Sequence, residues 1–399
     1  MDSETMKRKT NRNVIALGIV SFLTDVSSEM VFPILPLFLS SVLGIGKEII
    51  GLIEGVADSV SSLLDIFVGY FSDKSGNRKK FVIFGYGLST VLKIGLVFAT
   101  AWQHILAIRG LERIGKSIRT SPRDAIIAES SDEKTRAQSF GLHRAMDTAG
   151  AIVGPLIAYF ILKWLGEVDA GYRMLFIVAT IPAVLAVVAI VLLVREPKKT
   201  KIDAKQGQVT QRIKPKFWES LKMLDKKYKT FLAISCFFSL AYFSYALLIL
   251  RASDIGLKPE DIILVYALYN IVYALVSVPI GKIADSIGKK KVVGTSFVFY
   301  AVICIGFVLA NQFWHVVALF VLYACFVAAD ESVNKAYISD ISESKNRGMA
   351  LGAYSSAVGA AYLPANIVLG ILWAGFGVPV AFGAAAVVAV IAGILMLRY

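Results

Sequence analysis

Five basic and two acidic side chains crowd the stretch RGLERIGKSIRTSPRDA, Arg109 to Ala125, of a chain that is otherwise strongly apolar. Charges of both signs at such spacing can bind an anion, neutralise one another, or carry a proton, because a basic neighbour changes how tightly a carboxyl group holds its proton. Carboxylates that could partner them recur at i, i+4, as Asp25 with Glu29 and as Glu54 with Asp58, with Asp65 further on. His143, Arg144 and Asp147 form another cluster, and Lys93 stands alone in an apolar run. No serine or cysteine is paired with a base at recognisable spacing, no phosphate-cradling glycine loop occurs, and no His/Cys/Asp/Glu group has metal-ligand spacing. The expectation is a protein that is not an enzyme and has neither cofactor nor metal.

The elements that must hold these charges follow from composition. Of 399 residues, 56% are hydrophobic and 18% charged, the mean hydropathy is +0.66, and soluble domains carry about 25% charged residues. A bilayer core is crossed by about 20 apolar helical residues. Twelve such segments can be marked, at about 13–40, 48–72, 79–102, 104–128, 137–163, 172–194, 229–252, 260–283, 290–310, 314–340, 346–372 and 376–398. They are too long for barrel strands of about ten residues, and no cleavable signal precedes the first, since residues 1–13 are polar and the run that follows is of spanning length. The fold class expected is an all-α integral membrane protein.

Lys and Arg gather in residues 1–13, after the second and eighth segments, and between the sixth and seventh, whereas loops such as 310–315 and 375–379 carry almost none. Basic loops stay in the cytoplasm, so both termini are placed there. The net charge of +13 then reflects topology and not nucleic-acid binding. Cys236, Cys304 and Cys325 all fall in apolar helices and imply packing.

The fourth segment carries the opening stretch. At 100° per residue its seven charges fall within about 140° of arc, opposite Ala107, Ile108, Leu111, Ile114, Ile118 and Ala125. Turning Glu112, Arg113, Lys116 and Arg119 to lipid would cost on the order of 10 kcal/mol. The charged arc is therefore expected to face an internal, watered cavity.

The chain also repeats itself. GYFSDKSGNRKK from Gly69 matches GKIADSIGKKK from Gly281, and DAIIAESSDEKTRAQSFG from Asp124 matches KAYISDISESKNRGMALG from Lys335 at nearly the same offset. Two six-helix halves are implied, residues 1–194 and 229–399, joined by a cytoplasmic linker at 195–228. Parallel halves of this kind place a substrate site between them.

These motifs carry a resemblance to the major facilitator superfamily of transporters over the whole chain. Gly69, Asp73, Lys74 and Gly76, with Arg78 close by, resemble its signature after the second helix, and Gly281, Asp285 and Gly288 its echo after the eighth. Asn77 and Ser286 depart from the pattern. The resemblance implies that this element latches the halves in one state; the bare reading is a basic loop that fixes topology. Gly141, Gly150, Gly154 and Pro155 resemble the antiporter motif of twelve-helix drug/proton exporters, with Ala158 and Tyr159 in place of its closing glycines. Glycines so spaced equally suit ordinary helix packing. Pro33 and Pro36 resemble the P-x-x-P of the same subgroup's first helix. Arg109-x-x-Glu112-Arg113-x-Gly115 resembles its fourth-helix motif, with Glu112 and Arg113 as departures. Arg109 is then implied in proton coupling.

Asp25 and Glu29 are the first candidates for proton carriers, the alternative being that Arg113 or Lys116 holds them permanently as struts. Glu54, Asp58, Glu112, His143 and Asp147 are further coupling candidates, His143 equally as a structural residue. Arg113, Lys116, Arg119 and Arg144 are cavity candidates. The second half differs in having few charges and aromatic stripes at helical spacing, Phe238, Tyr242 and Tyr245, then Tyr266, Tyr269, Asn270 and Tyr273. These suit either packing or a binding wall. The function expected is a monomeric secondary transporter in a prokaryotic plasma membrane, exporting amphipathic or drug-like compounds against protons. The rival is transport of an anionic metabolite using the basic face, and an outsider is a receptor that reuses the fold.

Overall fold

A computed structural model describes residues 12–60, 77–131, 136–196, 225–342 and 347–399. The described secondary structure is helical, without strands. In chain order the helices are α1 (Arg12–Val31), α2 (47–60), α3 (Arg78–Val97), α4 (Trp102–Glu129), α5 (Arg136–Leu165), α6 (Asp169–Leu193), α7a (Lys226–Ser239), α7b (Tyr245–Asp254), α8 (Pro259–Ile287), α9 (Lys289–Leu309), α10 (Phe313–Ile341), α11 (Arg347–Phe376) and α12 (Val378–Arg398). Among the described residues, nine helices are long and apolar enough to cross a membrane. Large apolar side chains cover their outer faces, Trp164 at 89% exposure and Trp314 at 72%. In water that surface would be a liability; against lipid it is the expected contact.

Two of the expected segments are interrupted. The first bends after Val31, where Pro33 lacks an amide donor, and resumes as a short turn at Leu35–Leu37 and a π-helical turn at Phe38–Val42. The seventh, expected to run unbroken over 229–252, is split between α7a and α7b. Residues 240–244 hold this break by side-chain substitution for helical hydrogen bonds. The Phe243 amide donates to Tyr300 Oη (2.9 Å), the Tyr300 hydroxyl donates to Ala241 O (3.2 Å), and the Ser244 amide donates to Asn366 Oδ1 (2.7 Å). The freed backbone groups are thus satisfied by neighbouring helices, as a membrane interior requires.

α1 lies between α5 and α6, and α3 packs on α4 and α6. On the other side of the molecule α9 packs on α12 and α10, and α8 on α10. Two seams join these groups. α5 runs along α8, and the Leu35–Leu37 turn meets α7b. Gly51 and Gly55 of α2 allow close approach to α11, since a Cβ at Gly51 would stand 2.4 Å from Asn366 O and one at Gly55 3.1 Å from Leu363 Cα. Ser59 Oγ donates to Gly359 O (2.7 Å) across the same seam, and Lys47 pairs with Asp254 (2.6 Å) beneath the Trp373 ring.

The glycines of α5 act similarly, though not all of them. A Cβ at Gly150 would lie 2.5 Å from Phe22 O, and one at Gly154 2.6 Å from Val26 O. α5 can therefore rest on the backbone of α1 beside Asp25 and Glu29. Gly141 meets nothing within 4 Å, so close packing does not explain that position, and the helix runs through the buried Pro155 without a break.

Candidate functional site

A cavity of about 620 Å³ lies between the two groups of helices, within the size range of small-molecule sites. Its walls differ. α1, α2, α4 and α5 supply Asp25, Glu29, Glu54, Asp58, Arg109, Glu112, Arg113, Lys116, Arg119, Arg123, Arg144 and Asp147. α7b, α8, α10 and α11, with the α7 break, supply Tyr242, Tyr245, Tyr266, Tyr269, Tyr273, Tyr323 and Tyr362, together with Asn270 and Glu331.

The charged wall is built by the arc of α4. Because α4 is one uninterrupted helix through Pro122, its charges from Arg109 to Arg123 keep a common face toward the cavity, whereas Asp124 pairs with Arg123 (2.9 Å) and does not line it. Their partners come from α2. Arg109 Nη2 donates to Glu54 Oε2 (2.8 Å) with both side chains under a tenth exposed, and Arg109 also meets Glu112 at 3.5 Å. Arg113 pairs with Asp58 (3.2 Å). Arg119 is satisfied by α3, donating to Ser89 Oγ (2.9 Å) with its guanidinium 4.3 Å from the Tyr86 ring. Lys116 is exposed to the cavity and, among the described residues, makes no ion pair.

The α1 carboxylates are placed differently. Among the described residues no cation comes within ion-pair distance of Asp25 or Glu29. Arg113 pairs instead with Asp58 of α2. Glu29 accepts a hydrogen bond from the Tyr266 hydroxyl. Asp25 lines the cavity beside α5, where Asp147 accepts from Ser21 Oγ (2.7 Å) and Arg144 Nη1 (2.9 Å). His143 is buried and does not line the cavity, and its Nε2 has no partner among the described residues. Lys93 is also outside the cavity, donating to Ser27 and Ser28 Oγ at 2.8 Å each.

On the aromatic wall the two stripes separate. Phe238 is buried and stacks on Phe297, so it belongs to packing, whereas Tyr242 and Tyr245 reach the cavity because the break at 240–244 turns them there. Tyr266 and Tyr269 lie near-parallel with centroids 5.9 Å apart, and Tyr245 meets each at about 5 Å. Asn270 is engaged in holding α8 to α5, donating to Ala151 O (3.1 Å). Sequence reasoning missed Tyr323 and Tyr362, which sit singly in apolar or small-residue runs of α10 and α11 and offer no stripe to find them by; Glu331, next to Asp330, is one of the second half's few charges and was not among the site candidates. No His/Cys/Asp/Glu cluster among the described residues could hold a metal.

Of the latch motif, Gly69, Asp73, Lys74 and Gly76, like Asp65, lie outside the described residues. Arg78 begins α3, pairs with Glu129 at the end of α4, and donates its amide to Glu196 (3.0 Å). In the echo, Gly288 adopts φ +100°, the left-handed turn that favours glycine, Asp285 meets Lys289 at 3.7 Å, and Gly281 faces open space.

A bundle of helices with apolar outer faces around a partly charged cavity is the anatomy of a membrane transporter. The Major Facilitator Superfamily model matches residues 17–250 and 230–399, and the chain belongs to that family: it is an integral, multi-pass membrane transporter, not an enzyme. It is 36% identical over 396 residues to an uncharacterized MFS-type transporter of Methanocaldococcus jannaschii, covering 98% of this chain and 95% of that one. It is 22% identical over 348 residues to the quinolone resistance protein NorA of Staphylococcus aureus, covering 87% and 86%. Its fold is similar to the crystal structure of the nucleoside transporter NupG, with TM-score 0.79 and 14% identity over 96% of this chain and 99% of that one.

Proposed function

We propose that this protein moves small molecules by alternating access and exports amphipathic or drug-like compounds in exchange for protons. On this reading twelve spans form two six-helix bundles, residues 1–194 and 229–399, joined by the cytoplasmic linker 195–228, with both termini cytoplasmic, in the plasma membrane of a prokaryote and as a monomer. The carrying observation is the contrast between α1 and α2. Glu54 and Asp58 sit against guanidinium groups, whereas Asp25 and Glu29 face the cavity with no ion pair among the described residues. A cavity carboxyl group without a fixed cation can take and release a proton. The tyrosine wall opposite offers apolar faces with hydroxyl edges, suited to amphipathic guests, and the similarity to a quinolone resistance protein supports the same direction.

In everted vesicles with an imposed proton gradient, adding a quinolone or ethidium should release protons from the lumen. The effect should vanish in Asp25→Asn. No proton movement with either compound would remove the reading.

A second reading has its own observation. Lys116 offers an ammonium group to the cavity without an ion pair among the described residues, so an organic anion has a place to bind. Transport of an anion that is lost in Lys116→Gln but kept in Asp25→Asn favours it over export against protons.

A further inference from the structure

Most of the charge on the cavity's charged wall is spent inside the protein. Arg109 takes Glu54 and Glu112, Arg113 takes Asp58, Arg123 takes Asp124 and Arg144 takes Asp147. Arg119 is buried and turned to Ser89 and the Tyr86 ring. What is left over has both signs. Lys116 of α4 and the α1 carboxyl groups of Asp25 and Glu29 line the same cavity of about 620 Å³, and among the described residues none of the three makes an ion pair.

The surroundings of Lys116 and Glu29 differ. Lys116 lies one turn from Arg113 and one turn from Arg119 on a common face of α4, which makes a strip of positive potential. Glu29 stands in an aromatic corner. It accepts from the Tyr266 hydroxyl, and the Phe32, Tyr245 and Tyr266 rings have centroids 4.9 to 5.9 Å apart. The Arg109 guanidinium already stands 5.7 Å from the Phe32 centroid, so the corner accepts a cation. A carboxylate beside aromatic faces suits an ammonium group, and a lysine in a basic strip suits a carboxylate.

We propose that the preferred guest of this cavity is a zwitterion, an amino-carboxylate whose carboxylate meets Lys116 and whose ammonium group meets Glu29 in the corner of Phe32, Tyr245 and Tyr266. This deepens the reading above and rests on its placing the substrate in this cavity; Asp25 is left for the proton. A guest that fills the cavity strips water from both leftover charges, and a desolvated charge without a partner is costly. A purely anionic guest answers Lys116 and leaves Glu29 to that cost, and a purely cationic guest does the converse. A guest with both charges answers both and brings no net charge into the membrane interior.

The test is binding to the purified full chain at neutral pH, read as ligand-induced thermal stabilisation. The probes are para-(aminomethyl)benzoate and its homologue with one more methylene, set against benzoate and benzylammonium, which carry a single charge on the same ring. The better zwitterion should bind about tenfold or more tightly than either singly charged compound. Lys116→Gln should bring it down to the affinity of benzylammonium without weakening benzylammonium. Glu29→Gln should bring it down to that of benzoate without weakening benzoate, and Lys116→Arg should keep the preference. The native protein decides the matter even where a variant fails to fold: zwitterions that bind no more tightly than the singly charged compounds, or give no stabilisation, overturn the proposal. So does a preference left intact by both Lys116→Gln and Glu29→Gln. The vesicle assay fails separately. A zwitterion preference without proton release removes the exporter and keeps this site, whereas proton release with ethidium and no such preference does the reverse.

Discussion

The two walls of the cavity solve opposite problems. The wall from α1, α2, α4 and α5 must keep a dozen charges inside a bilayer, and it does so by pairing many of them: Arg109 with Glu54 and Arg113 with Asp58 between α4 and α2, and Arg144 with Asp147 within α5. The wall from α7, α8, α10 and α11 presents seven tyrosines whose rings brace one another, with the Tyr266 and Tyr273 hydroxyls donating to Glu29 and Glu331. A charged wall is rigid where its pairs are buried and responsive where they are not. An aromatic wall tolerates varied shapes because the burial of apolar surface against it is non-directional. On the proposed function, coupling belongs on the first wall and recognition on the second, and each assignment can be broken separately.

The largest effect should come from cutting a buried pair. Arg109→Ala leaves the Glu54 carboxylate buried without its guanidinium, and removing one partner of such a pair costs about 3–5 kcal/mol. Thermal unfolding of the purified protein should show a large loss, partly recovered in the double variant Arg109→Ala with Glu54→Gln. Tyr269→Phe on the opposite wall, which removes a hydroxyl and keeps the ring, should lie well below it. Equal losses for the two would end the distinction between the walls.

Next in size is the seam that holds α5 against α1. Gly150→Val would drive a side chain into Phe22 O at 2.5 Å, and overpacking of this kind costs about 1–3 kcal/mol or more. Gly141→Ala and Gly281→Ala enter open space and should be near neutral. Thermal stability of the three variants checks this. A destabilising Gly141→Ala would return that position to packing.

How much of this was legible follows from which signals are local. The charged arc of α4 could be read because seven charges on one helix share a period, and the cost of lipid exposure leaves them one place to go. The glycines were half legible: Gly150 and Gly154 are at a helix contact, but their spacing says nothing about which helix or that Asp25 and Glu29 flank it. Which carboxylate meets which arginine was not legible at all, since Glu54 and Asp25 have the same i, i+4 pattern and differ only in the rotation of α1 and α2 about their axes. The α7 break escaped because LAYFS contains neither Gly nor Pro. It is enforced from outside by Tyr300 and Asn366, residues far along the chain.

Smaller in free energy, and aimed at coupling, is Asp25→Asn. An amide keeps the size and hydrogen-bonding capacity of the carboxyl group but cannot release a proton, so folding should stay near native while proton–compound exchange falls at least tenfold, about 1.4 kcal/mol in the coupled step. Glu54→Gln should act mainly on stability, since its carboxylate is fixed to Arg109. Exchange lost in Glu54→Gln but kept in Asp25→Asn would move the proton site from α1 to α2.

The smallest effect separates the walls most finely. Lys116 belongs to the charged arc by position, yet it faces open cavity without an ion pair among the described residues, so Lys116→Gln should change stability by about 0.5 kcal/mol or less. Its consequence lies in binding. An ammonium beside tyrosine hydroxyls favours a guest with an acidic group, and a charge-assisted hydrogen bond is stronger than a neutral one by about a factor of two. Binding of an anionic aromatic probe such as benzoate, read as ligand-induced thermal stabilisation, should weaken about three- to tenfold, up to about 1.4 kcal/mol. A cationic probe such as ethidium should bind as well or better, because Asp25 and Glu29 then face one fewer positive charge. If both probes respond alike, Lys116 contributes only to the shape of the cavity, and recognition rests with the tyrosines alone.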